Sequence, residues 1–243
     1  MQVSVIVPVL NEAPVIRSFL TRLRERAPGA EIIVVDGEST DGTAHLAEGF
    51  CDQLVHSGER SRAIQMNAGA RVAGGEVFWF LHADAEVPSG CLNEISRIMR
   101  DPTVCGGFFR IRLPEPAVYR LTDSFAHYAG LVLGMRCGDH GIFCRRTAFL
   151  EIGGFPKVPL MEDVEFFRRL RCHGRVVHTA QRIAVSARRY EAVGPARLTF
   201  AYGFIGSLYF FGVPLSLLAR IYQRACCAPD EETTSPGDQA QPI

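Results

Sequence analysis

Short apolar runs alternate with amphipathic stretches along the first part of this chain. Residues 3–7 (VSVIV), 31–35 (EIIVV) and 78–81 (FWFL) are largely apolar and rich in β-branched or aromatic side chains, which is how strands buried on both faces read. Pro8 breaks the first of these runs, and a briefer run of the same kind falls at 53–56. Between them, 14–26 sets Ile16, Phe19, Leu20 and Leu23 on one helical face. A second helix begins near Thr43, behind a cluster of Asp, Gly, Ser and Thr. The small-residue run after Arg62 forms a third helix, able to pack close to a sheet, and 88–100 forms a fourth behind Pro88. Strand and helix repeated four times predict a parallel sheet with crossover helices, an α/β fold.

After residue 104 the rhythm changes. CGGFFRIRL (105–113) reads as an exposed strand, with Phe109, Ile111 and Leu113 on one side and Phe108, Arg110 and Arg112 on the other. A linker then leads into a helix over about 117–131, GDHGIFCRR (138–146), a helix at 147–152 and Gly153-Gly154-Phe155-Pro156. An acidic pair, Glu162-Asp163, opens a further helix that Gly174 ends. Residues 175–186 supply one or two short strands, and SARRY (186–190) follows.

Residues 198–219 carry no charge and are bracketed by Arg197 and Arg220. Their length would just span a bilayer, but Gly203, Gly206, Gly212 and Pro214 interrupt them, and Pro214 breaks or kinks a helix. A hairpin of two helices, buried or at a membrane interface, is the expectation. The chain thus divides into a catalytic-type domain (1–190), apolar C-terminal helices (191–227) and a tail (228–243) whose composition predicts disorder.

The 243 residues hold 26 Lys plus Arg and 26 Asp plus Glu. With no cationic surplus, nothing argues for nucleic acid as partner. The eight cysteines include no CxxC and no zinc-like pairing with histidine. Several sit in apolar runs, as small buried hydrophobes do in a reducing compartment. The chain opens directly on a strand, without a basic stretch and long apolar core, so a cytoplasmic protein is expected, with peripheral contact at the inner face of the membrane left open.

The candidate chemistry lies where strands end. Asp36 closes the second run, and His82 and Asp84 follow the fourth. Ligands of open α/β sheets bind at the carboxyl ends of strands. If strand geometry holds as far as Asp84, His82 and Asp84 point the same way. We read Asp84 as a cation ligand gripping a diphosphate, and Asp41 as a turn or cap residue. Arg62, Gln65 and Asn67 place donors near the start of the third helix, where phosphate is favoured. No GxGxxG follows the first strand and no GxxxxGK[ST] occurs anywhere, which excludes the dinucleotide fingerprint and the P-loop.

Taken together, VSVIVPVLNEA, VVDGESTDGT, FLHAD and GGF followed by MED resemble the family 2 glycosyltransferases of GT-A fold, over roughly residues 2–190. The match has departures. Gly37 stands where a second Asp is usual, and His82 replaces the first carboxylate of Asp-x-Asp. QMNAGA, FLHAD, GDHGIF and LMEDVEF are similar to a narrower bacterial branch named for selenodomain association or arsenosugar biosynthesis. GDQG is usual in that branch, so His140 departs from it.

The resemblance implies inverting transfer of a hexosyl or pentosyl group from a nucleotide-diphosphate donor to a hydroxyl acceptor, small or lipid-linked. It implies that Asp36 hydrogen-bonds the base, with Glu12 beside the nucleoside. Arg62 and Arg189 meet phosphate, and Gln65 and Asn67 add contacts to the nucleotide. Asp84 holds Mg2+ or Mn2+, and His82 is a weak ligand or, preferably, orients Asp84. A hard cation needs few protein oxygens when phosphates and water complete its shell. Asp163 is the general base, with Glu162, Asp139 and His140 on the acceptor side. A helix N-terminus lowers a carboxyl pKa and burial raises it, so the two work against each other at Asp163. Three rivals stay open: a nucleotide-sugar-binding protein without turnover, a nucleotidyltransferase, and a membrane-anchored partner built around 198–219.

Overall fold

The computed structural model describes residues 1–112, 140–184 and 193–226. Leu113, the helix expected over 117–131, Asp139, Arg189 and the tail from 228 lie outside the described residues. The chain forms two units, Met1–Ser186 and Ala187–Ile243.

The first unit is built on a sheet of seven strands: β1 (Val3–Val9), β2 (Glu31–Asp36), β3 (Gln53–His56), β4 (Val77–Phe80), β5 (Val104–Arg112), β6 (Phe143–Arg145) and β7 (Arg175–Ala184). Their spatial order is β3-β2-β1-β4-β6-β5-β7. β6 pairs antiparallel with both β4 and β5, while the other pairings are parallel. The helices are α1 (Ile16–Arg26), α2 (Thr43–Ala47), α3 (Arg62–Val72), α4 (Cys91–Met99), α5 (Arg146–Glu151) and α6 (Glu162–His173).

Alternation along the central strands sends successive side chains to opposite faces. Val5, Val7, Ile32, Val34 and Trp79 pack with α1 and α4 residues such as Phe19, Leu20 and Ile95. Ile6, Ile33, Val35, Phe78 and Phe80 pack with α3, α5 and α6 through Met66, Phe149 and Phe166. Both faces are therefore dry, which is why these strands read as continuous apolar runs. Each large side chain so buried contributes about 1.5–3 kcal/mol. The expected close approach of α3 is real: a Cβ on Gly69 would stand 2.6 Å from Ile6 Cγ2 and 2.9 Å from Val35 Cγ2.

Four expectations need correction. Pro8 does not end β1; it lies opposite Val35 within the ladder. Ile6 O accepts from Leu81 N on the β4 side, and Val9 O from Gly37 N on the β2 side. Pro8 therefore faces the β4 side, beyond the last β4 partner at Phe80, where its missing N–H costs no ladder bond. β5 is not an exposed strand: it runs between β6 and β7, and residues 104–109 are buried. β4 ends at Phe80, and a turn with Ala85 N donating to His82 O (3.1 Å) follows. A shared direction for His82 and Asp84 thus does not follow from strand geometry. Finally, α4 starts at Cys91 rather than at Pro88, after Gly90 in the left-handed region.

The second unit contains α7 (Pro195–Phe210) and α8 (Leu215–Cys226). They are separated by a turn at 211–214 with Gly212 at φ 77. Tyr202 and Tyr222 stack across the pair, with ring centroids 6.4 Å apart. Among the described residues no helix is long and apolar enough to cross a membrane; Pro214 divides the uncharged run into two.

Candidate active site

The carboxyl ends of β1, β2, β3 and β4 share one rim of the sheet, because these strands are mutually parallel. Two loops on that rim are laced together. Asn11 N donates to Ser39 Oγ (3.0 Å), and Asn11 Oδ1 accepts from Thr40 N (2.9 Å). Glu12 N donates to Thr43 Oγ1 (2.8 Å). Asp41 accepts from Ala13 N and from Thr43 N, each at 3.0 Å, and from the Thr43 hydroxyl. Partial burial acts to raise the Asp41 pKa, but the Thr43 hydroxyl and these N–H donors together bring it below the ordinary value of 3.8. Asp41 is thus a turn-closing carboxylate, as its sequence context predicts. The loop after β1 and the loop after β2 are held as one structure.

Asp36, the last residue of β2, is 3% exposed. Its Oδ2 accepts from Ser39 N at 3.1 Å and lies 3.6 Å from His56 Nδ1. Its Oδ1 is buried and has no hydrogen-bond partner among the described residues. A buried acceptor left unpaired costs about 1–3 kcal/mol unless a ligand supplies a donor. His56 was not anticipated. The signal was available only in the register, since β2 and β3 end in step with Asp36 opposite His56.

Gln65, expected to contact nucleotide, is 4% exposed. Its Nε2 donates to Val9 O (2.8 Å) and Val35 O (2.9 Å), so it ties the ends of β1 and β2 together. Asn67 is likewise turned to the protein itself. Its Nδ2 donates to Phe155 O (2.8 Å), and its Oδ1 accepts from Phe155 N (2.9 Å). Phe155 in turn stacks on Phe166 of α6, with centroids 4.0 Å apart. One α3 side chain therefore anchors the Gly153-Gly154-Phe155 loop and, through it, the helix that carries Asp163.

A second link joins the same elements. Arg62 Nη1 lies 3.7 Å from Glu162 Oε1, bringing the start of α3 to the start of α6. Lys157 Nζ and Glu59 Oε2 pair at 2.8 Å across the flanking loops. Asp163 is buried, and its Oδ1 accepts from Val164 N at 2.7 Å. His140 is buried with its ring against Phe108 (6.1 Å). His82 is half-buried and Asp84 exposed. A small apolar cavity bounded by Pro8, Met66, Phe80, His82, Ile142 and Phe155 joins the ends of β1 and β4 to α3 and the Phe155 loop.

Strain marks the same places. The three described non-glycine residues with positive φ are Asn11 (54°), Glu38 (67°) and Met161 (61°). They adjoin Glu12, Asp36 and Glu162-Asp163 respectively. Such conformations cost of order 1–3 kcal/mol each and gather at functional loops. Of the residues predicted from sequence, Asp36 ends β2 on this rim, Glu12 and Asp84 lie on the loops after β1 and β4, and Arg62 and Glu162-Asp163 lie at helix starts joined by the Arg62–Glu162 pair; Asp139 and Arg189 fall outside the described residues.

A divalent cation can be tested against the donors. Among the described residues no three His, Cys, Asp or Glu side chains come together as a metal cluster. An exposed carboxylate at Asp84 with an imidazole at His82 two positions earlier is a sparse set. It suits a cation whose other positions are filled by phosphate oxygens and water, not an all-protein cage.

Comparison with known proteins agrees with this architecture. The family model described as "Glycosyl transferase family 2" matches residues 4–150. An uncharacterized protein of Mycobacterium tuberculosis is 27% identical over 219 residues, covering 78% of this chain and 67% of the relative. A pre-mycofactocin glycosyltransferase of the same species is 28% identical over 196 residues, covering 69% of this chain but 38% of the relative. Among solved structures, the mannosyltransferase PcManGT of Pyrobaculum calidifontis, in complex with GDP-Man and Mn2+, superposes with a TM-score of 0.67. It is 24% identical, over 90% of this chain and 69% of that one. The glucosyl-3-phosphoglycerate synthase of Mycobacterium tuberculosis, solved with Mn2+, UDP and glucosyl-3-phosphoglycerate, gives 0.59 at 17% identity. It covers 88% of this chain and 81% of its own.

Proposed function

The chain belongs to glycosyl transferase family 2, and on that footing we propose that it transfers a sugar from a nucleoside-diphosphate donor to a hydroxyl acceptor, inverting the anomeric centre with the help of a divalent cation. The observation that carries the donor half is the buried Oδ1 of Asp36, which lacks a partner at the end of β2. A nucleobase N–H of the uracil or guanine type is the donor such an oxygen wants. The structural neighbours solved with GDP-Man or UDP and with Mn2+ support the same class of ligand.

Each residue then has a task. Asp36 accepts from the base, and Glu12 stands beside the nucleoside. Gln65 and Asn67 act as positioning residues, the first by fixing the strand ends under Asp36 and the second by fixing the Phe155 loop. Arg62 and Arg189 balance the charge of the diphosphate. Asp84, oriented by His82, would hold Mg2+ or Mn2+, and such a cation would supply positive charge opposite the departing diphosphate. Asp163 accepts the proton of the acceptor hydroxyl as that oxygen bonds to the anomeric carbon and the bond to the diphosphate breaks. Glu162, Asp139 and His140 are assigned to recognition of the acceptor.

A thermal-shift screen of UDP, GDP, ADP and CDP with Mn2+ tests the reading, since ligands that bind only the native state raise its apparent stability. One or more of them should raise the melting temperature of the wild type, and Asp36→Ala should lose that increment. An Asp36→Ala variant that retains the full shift would refute the role given to Asp36.

A further inference from the structure

The C-terminal unit carries an unusual surface. Phe200 is 76% exposed, Phe204 47%, Phe210 61% and Phe211 79%. Phe200 and Phe204 stack in parallel at 6.2 Å on the outside of α7 instead of turning inward. With Arg197 and Phe211 they follow the spacing of one helical face, which runs from the open end of the hairpin to its turn, a length of about 20 Å. Phe210 and Phe211 lie at the turn, and exposed Leu217 follows on α8. Exposed phenylalanines so close together are not the ordinary scatter of single apolar residues over a surface.

Within the described hairpin the fixed charges have one sign. Between 193 and 226 the ionisable side chains of fixed charge are Arg197, Arg220 and Arg224, with no Asp, Glu or Lys. All three arginines are exposed, and Arg197 Nη2 reaches Arg224 O at 3.5 Å, so these two mark the open end of the hairpin. A symmetric contact of this face with a second copy would bring two such hairpins together with cations on both sides and no Asp or Glu between 193 and 226 of either to answer them. An anionic bilayer surface answers both features. Its acyl boundary takes the phenyl rings, and its headgroups take the guanidiniums, whose stems reach up along the apolar face.

We propose that the α7–α8 hairpin is a monotopic membrane-docking element. It lays the Phe200–Phe204–Phe211 face into one leaflet of a bilayer rich in anionic lipid, with Arg197, Arg220 and Arg224 at headgroup level. This surface is independent of the donor site, and its test does not depend on catalytic activity.

The experiment is co-flotation of the full-length protein with phosphatidylcholine vesicles, with and without about one-third phosphatidylglycerol. The wild type should float with the anionic vesicles and much less with the neutral ones, and raised salt should weaken binding. Phe200→Ser combined with Phe204→Ser and Phe211→Ser should lower the anionic-vesicle partition at least tenfold. Circular dichroism should remain unchanged, since the altered rings are exposed. Arg197→Gln, Arg220→Gln and Arg224→Gln should each cost about fivefold on anionic vesicles and almost nothing on neutral ones. Absence of flotation by the wild type would overturn the proposal, as would binding indifferent to the phenylalanine substitutions. A concentration-dependent dimer that those substitutions abolish would assign the face to a second copy instead and would equally overturn it.

Discussion

Gly37 follows Asp36 where β2 leaves the sheet, and the structure supplies a physical reason for glycine there. Its φ is not in the left-handed region, so the backbone alone does not demand glycine. Space does. A Cβ at 37 would stand 2.7 Å from Gln65 Nε2 and 2.9 Å from Gln65 Cδ. The end of a glutamine could normally swing aside at little cost, but this amide is buried and pinned to Val9 O and Val35 O. Making room gives up two hydrogen bonds worth about 0.5–1.5 kcal/mol each. Gly37→Ala should therefore destabilise the protein by about 1–3 kcal/mol, read as a fall in urea midpoint at unchanged slope. In a Gln65→Ala background the obstacle is gone. There the same change should be neutral, or stabilising by about 0.4–1 kcal/mol through the unfolded chain. The double-mutant cycle should thus show a coupling of about 1–4 kcal/mol. Increments equal in the two backgrounds to within about 0.5 kcal/mol would mean the sites are independent, and the steric account would fail.

Further outcomes follow from the same contacts. Asp163→Asn should reduce sugar transfer by at least about a hundredfold, as loss of a general base does, while nucleotide-induced thermal shifts persist; near-normal turnover would remove Asp163 from that role. Asp84→Ala should abolish the Mn2+-dependent part of nucleoside-diphosphate binding in calorimetric titration, and an unchanged titration would exclude it as a ligand. Asn67→Ala should cost about 1–3 kcal/mol in urea unfolding, because both hydrogen bonds to Phe155 go, and equal midpoints for the two proteins would show the clamp to be idle. Asp41 has a folded pKa below its ordinary 3.8, so its stabilisation is complete above that value and is lost as pH falls through the lower folded value. The midpoint gap between wild type and Asp41→Asn should hold at neutral pH and shrink below about pH 4; a gap constant down to pH 3 would contradict it.

The parallel half of the fold was legible because burial on both faces of a strand leaves an unmistakable pattern. β1, β2 and β4 read as apolar runs, and Ile16, Phe19, Leu20 and Leu23 are indeed the buried face of α1. Where the pattern misled, neighbours decided. Pro8 was read as a strand breaker from a property of the residue alone, yet its cost depends on whether a partner strand reaches it, and β4 stops short. At Phe108 and Phe109 the alternation of β5 was read correctly, with Phe109 on one face of the sheet and Phe108 on the other. Its burial was not, because the glycines at 106 and 107 give no hint that β6 and β7 cover both edges. No local pattern states how many strands flank a strand.

The site was legible as a set of residues and much less so as a set of roles. Polar residues at strand ends and helix starts were found because chain direction alone puts them on one rim. Direction does not say which way an amide turns. Gln65 and Asn67 stand at the start of α3, where donors to phosphate are expected, but both spend their hydrogen bonds on main-chain atoms. The distinction carries consequences for mechanism. A residue that touched the donor would act on binding alone. Asn67, which holds Phe155 against Phe166, ties the helix bearing Arg62 to the helix bearing Asp163. The start of α3 and the start of α6 are therefore not independently mobile. They are joined by a hydrogen-bonded clamp and an aromatic stack.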